Sequence, residues 1–143
     1  MDMDRFNLER FVEAQGSCYP AALRELREGR KRSHWIWFVF PQVKGLGFSF
    51  NSRFYGISGL EEASAYLGHP VLGPRLREVC DVILGLPTDD AEEVFGGIDS
   101  VKLRSSMTLF DAVSPGDVFA RVLDKFFDGK RDGRTLRLMN DGD

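Results

Sequence analysis

The sequence predicts a mainly α-helical single compact domain of seven to eight helices around an aromatic central segment. Three observations carry that expectation. Apolar residues recur at three- and four-residue steps along most of the chain, helix start and stop residues punctuate it repeatedly, and Trp35 to Phe40 form a run of six large apolar residues. At 143 residues the chain has the size of one domain and buries roughly 68–70% of its unfolded surface. It therefore needs no disulfide or metal to hold a core.

The elements follow in order. Asp4 caps a first helix with Phe6, Phe11, Val12 and finally Gln15 near one face, and Ser17 caps a second with Pro20 in its first turn and Gly29 past its end, so the two form a hairpin. Ser58 and Glu61 make a capping box for a helix with Leu60, Ala63 and Leu67 at helical spacing, ending at Gly68. Pro70 opens the next, whose stripe is Leu72, Leu76, Val79 and Ile83, ended by Gly85 and Pro87. Thr88 caps a short helix through Phe95 that Gly96-Gly97 stops, and Asp99 or Ser100 begins another through Val113 with Leu103, Met107 and Phe110 inward. Asp117 or the Pro115-Gly116 turn leads into Val118, Val122, Leu123, Phe126 and Phe127, closed by Gly129. A last short helix starts at Asp132 and runs from Thr135 to Met139, before a short polar tail at 140–143.

The aromatic run itself has two readings. Apolar on both faces and rich in strand formers, it fits a central strand, whose sole candidate partner is the glycine-rich stretch from Gly45 to Tyr55. The helical surroundings favour a buried helix instead, with Ser33 as N-cap and Pro41 as terminator.

Composition narrows the function classes. With 43% hydrophobic and 29% charged residues the chain matches soluble globular proteins, and its longest apolar run falls far short of the roughly 20 residues that span a bilayer. The start Met1-Asp2-Met3-Asp4-Arg5 is charged and no apolar stretch follows it, so no secretory signal is expected and the protein reads as cytoplasmic. Cys18 and Cys80 have neither disulfide nor zinc spacing and read as buried thiols; no metal or cofactor is expected. A net charge of −3 makes nucleic acid an unlikely partner, and membrane is excluded.

The candidate site begins where basic and aromatic residues meet. Arg24, Arg27, Arg30, Lys31 and Arg32 lead into His34, and arginine supplies bidentate donors to phosphate or carboxylate. The same cluster is expected to lower the pKa of His34, leaving a neutral imidazole that accepts a proton near pH 7. Gln42, at the edge of the aromatic segment, needs hydrogen-bond partners from backbone or ligand, and so does Gln15. A second constellation lies in Asp99 to Asp111, where a helix puts Lys102 and Ser106 on one face beside Ser105, a cation with hydroxyls suited to an oxyanion. His69, before Pro70, reads as structural or exposed. No GxSxG elbow, Walker loop, HExxH or dinucleotide fingerprint occurs.

These residues also carry a resemblance. FVEAQ at 11–15, RKRSHWIWFVFPQ at 30–42, LGFS at 46–49, EEASAYLGHPVLGPRL at 61–76, KLRSSMTLF at 102–110, VFARVLDKFFDG at 118–129 and DGRTLRLM at 132–139 together resemble the bacterial domain-of-unknown-function family 1810. The resemblance spans nearly the whole chain in order and implies a small, mainly helical domain; it brings no established activity and no catalytic residues. Such sequences sometimes carry the label calpastatin, which a dense aromatic core argues against, because a disordered inhibitor has none. An analogy to NADAR proteins, helical domains associated with ADP-ribose derivatives, suggests a phosphosugar pocket.

Two functions from different classes follow. In the first, the protein binds or processes a phosphorylated small molecule of nucleotide or ADP-ribose type. Arg30, Lys31 and Lys102 neutralise phosphate, Trp35 or Trp37 stacks a base, Gln42, Ser105 and Ser106 hydrogen-bond, and His34 is the catalytic proton acceptor. In the second, the domain is a non-catalytic helical protein-interaction module and the aromatic segment is simply core.

Overall fold

In the computed structural model, which describes residues 4–141, eight helices carry the fold: α1 (Glu9–Arg27), α2 (Ile36–Val39), α3 (Phe50–Phe54), α4 (Leu60–Gly68), α5 (Leu72–Leu84), α6 (Ala91–Val113), α7 (Val118–Phe127) and α8 (Gly133–Asp141). Two of them organise the rest. α5 packs against α1, α4 and α7, while α6 packs against α2, α4, α7 and α8. The expected stripe of Leu72, Leu76, Val79 and Ile83 on α5 is fully buried, as are Leu103, Met107 and Phe110 on α6. Aromatic rings knit the two sides: Phe11 meets Tyr66 edge-on at 5.1 Å, and Tyr66, Phe110 and Phe119 follow in a chain. No helix among the described residues is long and apolar enough to cross a membrane.

Several expected boundaries move, each for a local reason. The hairpin at Ser17 does not exist, because α1 runs unbroken through Pro20. Proline there removes one backbone donor, and the carbonyl it frees belongs to Gly16 on the exposed face, where solvent has access to it. On the opposite face Phe11, Gln15, Tyr19, Ala22 and Leu26 form one continuous buried stripe, which holds the helix together. Asp4 does cap this helix, its carboxylate accepting from the N–H groups of Leu8 and Glu9.

The capping box of α4 shifts by one residue. Glu62, not Glu61, accepts from the Ser58 N–H, and Glu62 with Ala63 and Tyr66 forms the buried face. Asp90, rather than Thr88, caps α6 through the N–H groups of Glu92 and Glu93. The stop expected at Gly96-Gly97 survives as a break inside α6, where Gly96 sits at φ 81°, a conformation that favours glycine. His69 accepts from the Val71 and Leu72 N–H groups through Nδ1 and so opens α5 in place of a serine or aspartate cap. Beyond Met139, α8 continues to Asp141 rather than ending in a tail; residues 1–3, 142 and 143 lie outside the described residues.

The aromatic run is neither a full helix nor a strand. A single turn, α2, forms within it, flanked by Trp35 and Phe40 in non-helical conformations, and the nearest thing to sheet is one isolated parallel bridge between Val43 and Ile57. Ser33 does not cap it. Its N–H and hydroxyl are taken instead by Glu25 of α1, which also accepts from the Arg32 N–H at 2.7 Å and the Trp35 indole Nε1 at 3.0 Å. Burial alone would raise the Glu25 carboxyl above its ordinary 4.5, but the hydrogen bonds from Ser33, Arg32 and Trp35 outweigh it and hold the group at about 2.

A second buried charge ties the other end of α1. All five N–H groups of Arg10 are used: they donate to the carbonyls of Phe6, Asn7, Phe54 and Gly56 and to the Glu62 carboxylate at 2.7 Å. Both side chains of this pair are nearly inaccessible. Gln15 is likewise satisfied, donating to the Phe38 carbonyl and the Tyr66 hydroxyl and accepting from Arg75.

These contacts set two expectations. Because the folded pKa of Glu25 lies below its unfolded value, the stability it contributes is full above about pH 4.5 and is lost as pH falls toward 2. Glu25→Gln is therefore expected to cost about 3 kcal/mol at pH 7, with the gap to the parent protein closing toward pH 2 in denaturant titrations run across that range. A gap independent of pH refutes the assignment. Arg10→Met leaves Glu62 buried without its partner and is expected to lose about 3–5 kcal/mol in urea unfolding, with Arg10→Lys recovering only part because an ammonium has three donors.

Candidate functional site

Past the break at Gly96, α6 presents a stripe at helical spacing whose first members, Ile98 and Val101, the core does not cover. Ile98, Val101, Lys102 and Ser105 lie on one face, at positions i, i+3, i+4 and i+7, and line a cavity of about 470 Å³. That is the size range of small-molecule sites. The facing wall comes from the loop after the aromatic segment, through Gln42, Leu46, Gly47 and Ser52, and the end wall from Asp132 and Arg134 at the start of α8. Three separate stretches of chain therefore converge on it.

The electrostatics favour an anion. Asp99 is shared by two lysines: Lys31, whose side chain is 6% exposed, pairs at 2.7 Å, while Lys102 stands at 3.4 Å. One carboxylate cannot neutralise two ammonium groups, and the closer partner is Lys31. Lys102 therefore carries excess charge and unused donors into the cavity wall. Arg134 is exposed and has no ion pair among the described residues. Each lysine also caps an indole, Lys31 lying 5.0 Å from the Trp35 ring centre and Lys102 4.8 Å from that of Trp37.

Behind the loop wall lies a side chamber of about 10 Å³, room for one water, lined by Trp37, Asn51 and Tyr55 and sharing Gln42 and Ser52 with the main cavity. The buried Trp37 Nε1 has no protein acceptor. The Gln42 amide, too, makes no hydrogen bond with a described residue, although its backbone carbonyl accepts from Ile57. An indole N–H and a carboxamide thus stand unpaired at the inner end of the site. Among the described residues no group of three or more His, Cys, Asp or Glu is placed to hold a metal ion.

The structure gathers part of the expected set. Lys102, Ser105 and Gln42 line the cavity, with Trp37 in the adjoining chamber. Ser106 is buried with its hydroxyl unpartnered and is not on the wall. It lies about 40° from Lys102 around the helix on the side away from Ile98 and Val101, so sharing a face with Lys102 did not put it in the site. Trp35 is 1% exposed and bound to Glu25; Lys31 is buried against Asp99 and donates to the Ser33 carbonyl. Arg30 and His34 are exposed, and neither lines the cavity.

Sequence reading missed Asp132 and Arg134. A signal was available: α8 has no acidic residue in its first turn and carries Arg134 there instead, against the helix dipole. A local choice that opposes helix stability marks a position held for another purpose. Ile98 and Val101 gave a second sign, since they are apolar yet lie off the face that Leu103, Met107 and Phe110 turn inward.

Comparison with known proteins agrees with this fold. A search of curated proteins found no match. The crystal structure of the conserved hypothetical protein Rv1873 from Mycobacterium tuberculosis superposes with a TM-score of 0.93 at 48% identity, over 96% of this chain and 99% of that one. The model of the family described as protein of unknown function, DUF1810, matches residues 5–139. Because that model spans nearly the whole chain, the chain belongs to the DUF1810 family.

Proposed function

We propose that the cavity between the 42–52 loop, α6 and the start of α8 binds a phosphorylated small molecule of nucleotide or ADP-ribose type. The observation that supports this most is the pair of under-neutralised cations, Lys102 and Arg134, on one concave wall. A phosphate there exchanges water for charge-assisted hydrogen bonds. Leu46, Ile98 and Val101 supply apolar surface for a flat ring, and Gln42 and Ser105 supply polar contacts beside it. Arg30, Lys31, Trp35 and His34 stand outside this site, so the basic run acts on it only through the Lys31–Asp99–Lys102 chain. Such a ligand is a cytoplasmic metabolite, in keeping with two free thiols.

A non-catalytic interaction module is the second reading, and one observation favours it. Phe48 and Phe50 are 84% and 72% exposed, on a turn that Arg53 stiffens by donating twice to the Phe48 carbonyl.

A thermal-shift panel of ADP-ribose, NAD, nucleotides and sugar phosphates separates the two. At a hundredfold excess over Kd a bound ligand is expected to stabilise the protein by about 2.7 kcal/mol. Lys102→Ala and Arg134→Ala are expected to remove most of that shift while remaining folded, and His34→Ala to leave it intact. No shift from any member of the panel, in well-folded protein, sinks the proposal and favours the interaction module.

A further inference from the structure

Asp132 is the one acid on the wall of the cavity, and its two oxygens are used unequally. Oδ2 accepts from the Thr135 N–H at 3.2 Å, from the Thr135 hydroxyl at 2.5 Å, and at 3.1 Å from the Ser105 hydroxyl, whose single proton it shares with the Val101 carbonyl at 3.2 Å. The Asp132 N–H is itself held by the Thr108 hydroxyl at 2.9 Å. Residues of α6 and α8 together thus fix this carboxylate in place. Oδ1 takes no hydrogen bond from any described residue.

We propose that Asp132 is a specificity residue whose free Oδ1 accepts hydroxyl groups of the ligand, restricting the site to phosphate esters of polyhydroxylated molecules such as sugars. The proposal rests on the reading that the cavity binds a phosphorylated molecule. Capping α8 requires only one acceptor oxygen, so the cap accounts for Oδ2 and not for Oδ1. The rest of the wall then sorts the ligand's groups by charge. A phosphate is repelled by Asp132 and attracted by Lys102 and Arg134, whereas a neutral hydroxyl is the donor a carboxylate accepts. A molecule carrying both groups satisfies the whole wall.

Discrimination follows from the acceptor that goes unpaired. An analogue without hydroxyls displaces water from Oδ1 and returns no hydrogen bond, and its binding is penalised for that. Because both Thr135 donors already hold the carboxylate against α8 and Ser105 stands within reach on α6, little ordering remains to be done when a hydroxyl arrives, which favours the correct ligand further.

The test compares glycerol phosphate with propyl phosphate, which differ only in two hydroxyls, by calorimetric titration. The parent protein is expected to bind glycerol phosphate at least tenfold more tightly. Asp132→Asn retains a cap-competent oxygen but replaces the other with a donor. It is expected to erase that preference while binding propyl phosphate as tightly as the parent or more so, since a negative charge has gone. A merely structural role for Asp132 moves both affinities together, and that outcome overturns the proposal, as does a parent protein indifferent to the hydroxyls. Should the asparagine variant not fold, Asp132→Ser, also a good cap, repeats the comparison. If neither ester nor ADP-ribose binds the parent protein, the cavity reading itself fails, and the specificity proposal with it.

Discussion

The bonds gathered by the Glu25 carboxylate decide the path of the chain after its first helix. A basic stretch leaving α1 has every reason to run out into solvent, yet Arg32, Ser33 and Trp35 are all pulled back onto one acid just inside the helix end at Arg27. That turns the aromatic segment inward, where Trp35 and Phe40 meet Phe95 across α6. A buried carboxylate is costly unless fully hydrogen-bonded, and this one is. Its position also sets where the single turn of α2 begins, and thereby where Trp37 and Gln42 stand relative to the cavity.

Two further charged contacts complete the frame from other directions. Arg10 draws the carbonyls of Phe54 and Gly56 toward α1, closing the loop that makes one cavity wall. Asp99 anchors the basic segment to α6 through Lys31 and leaves Lys102 only loosely held. The surplus of positive charge at the site is thus a by-product of how the aromatic segment is tethered. The tight packing where α4 turns into α5 completes the scaffold: a side chain at Gly73 would collide with the Leu67 carbonyl, so glycine is required for the two helices to approach.

Elements whose signals are local were legible. The α5 stripe depends on residues within a turn of one another and stands where spacing puts it, Asp117, one of two starts the sequence offers, caps α7, and Asp132 stands at the start of the last helix. Where the deciding partner is distant, the local signal misleads. Pro20 and Ser17 imitate a helix start, but the buried face from Phe11 to Leu26 overrides them. Ser33 imitates a cap, but Glu25, eight residues back, takes its donors. Glu61 looked like the box acid, yet Glu62 was chosen because Arg10, 52 residues away, needed it. The candidate site divides the same way. Lys102 and Ser105 are legible as neighbours because one helix carries both, whereas Asp132 and Arg134 come to the same cavity only when α8 docks on α6.

The sequence by itself determined a mainly helical domain, its family and the identity of most core faces, since periodicity and end signals act over a few residues and are written in consecutive positions. Only the tertiary structure decided which polar residues serve the frame and which remain free. Lys31, Trp35 and Lys102 look alike as candidates in one dimension, and long-range charge pairing separates them. The first two are consumed by Asp99 and Glu25 in holding the fold, and the third is left with unspent charge at a cavity.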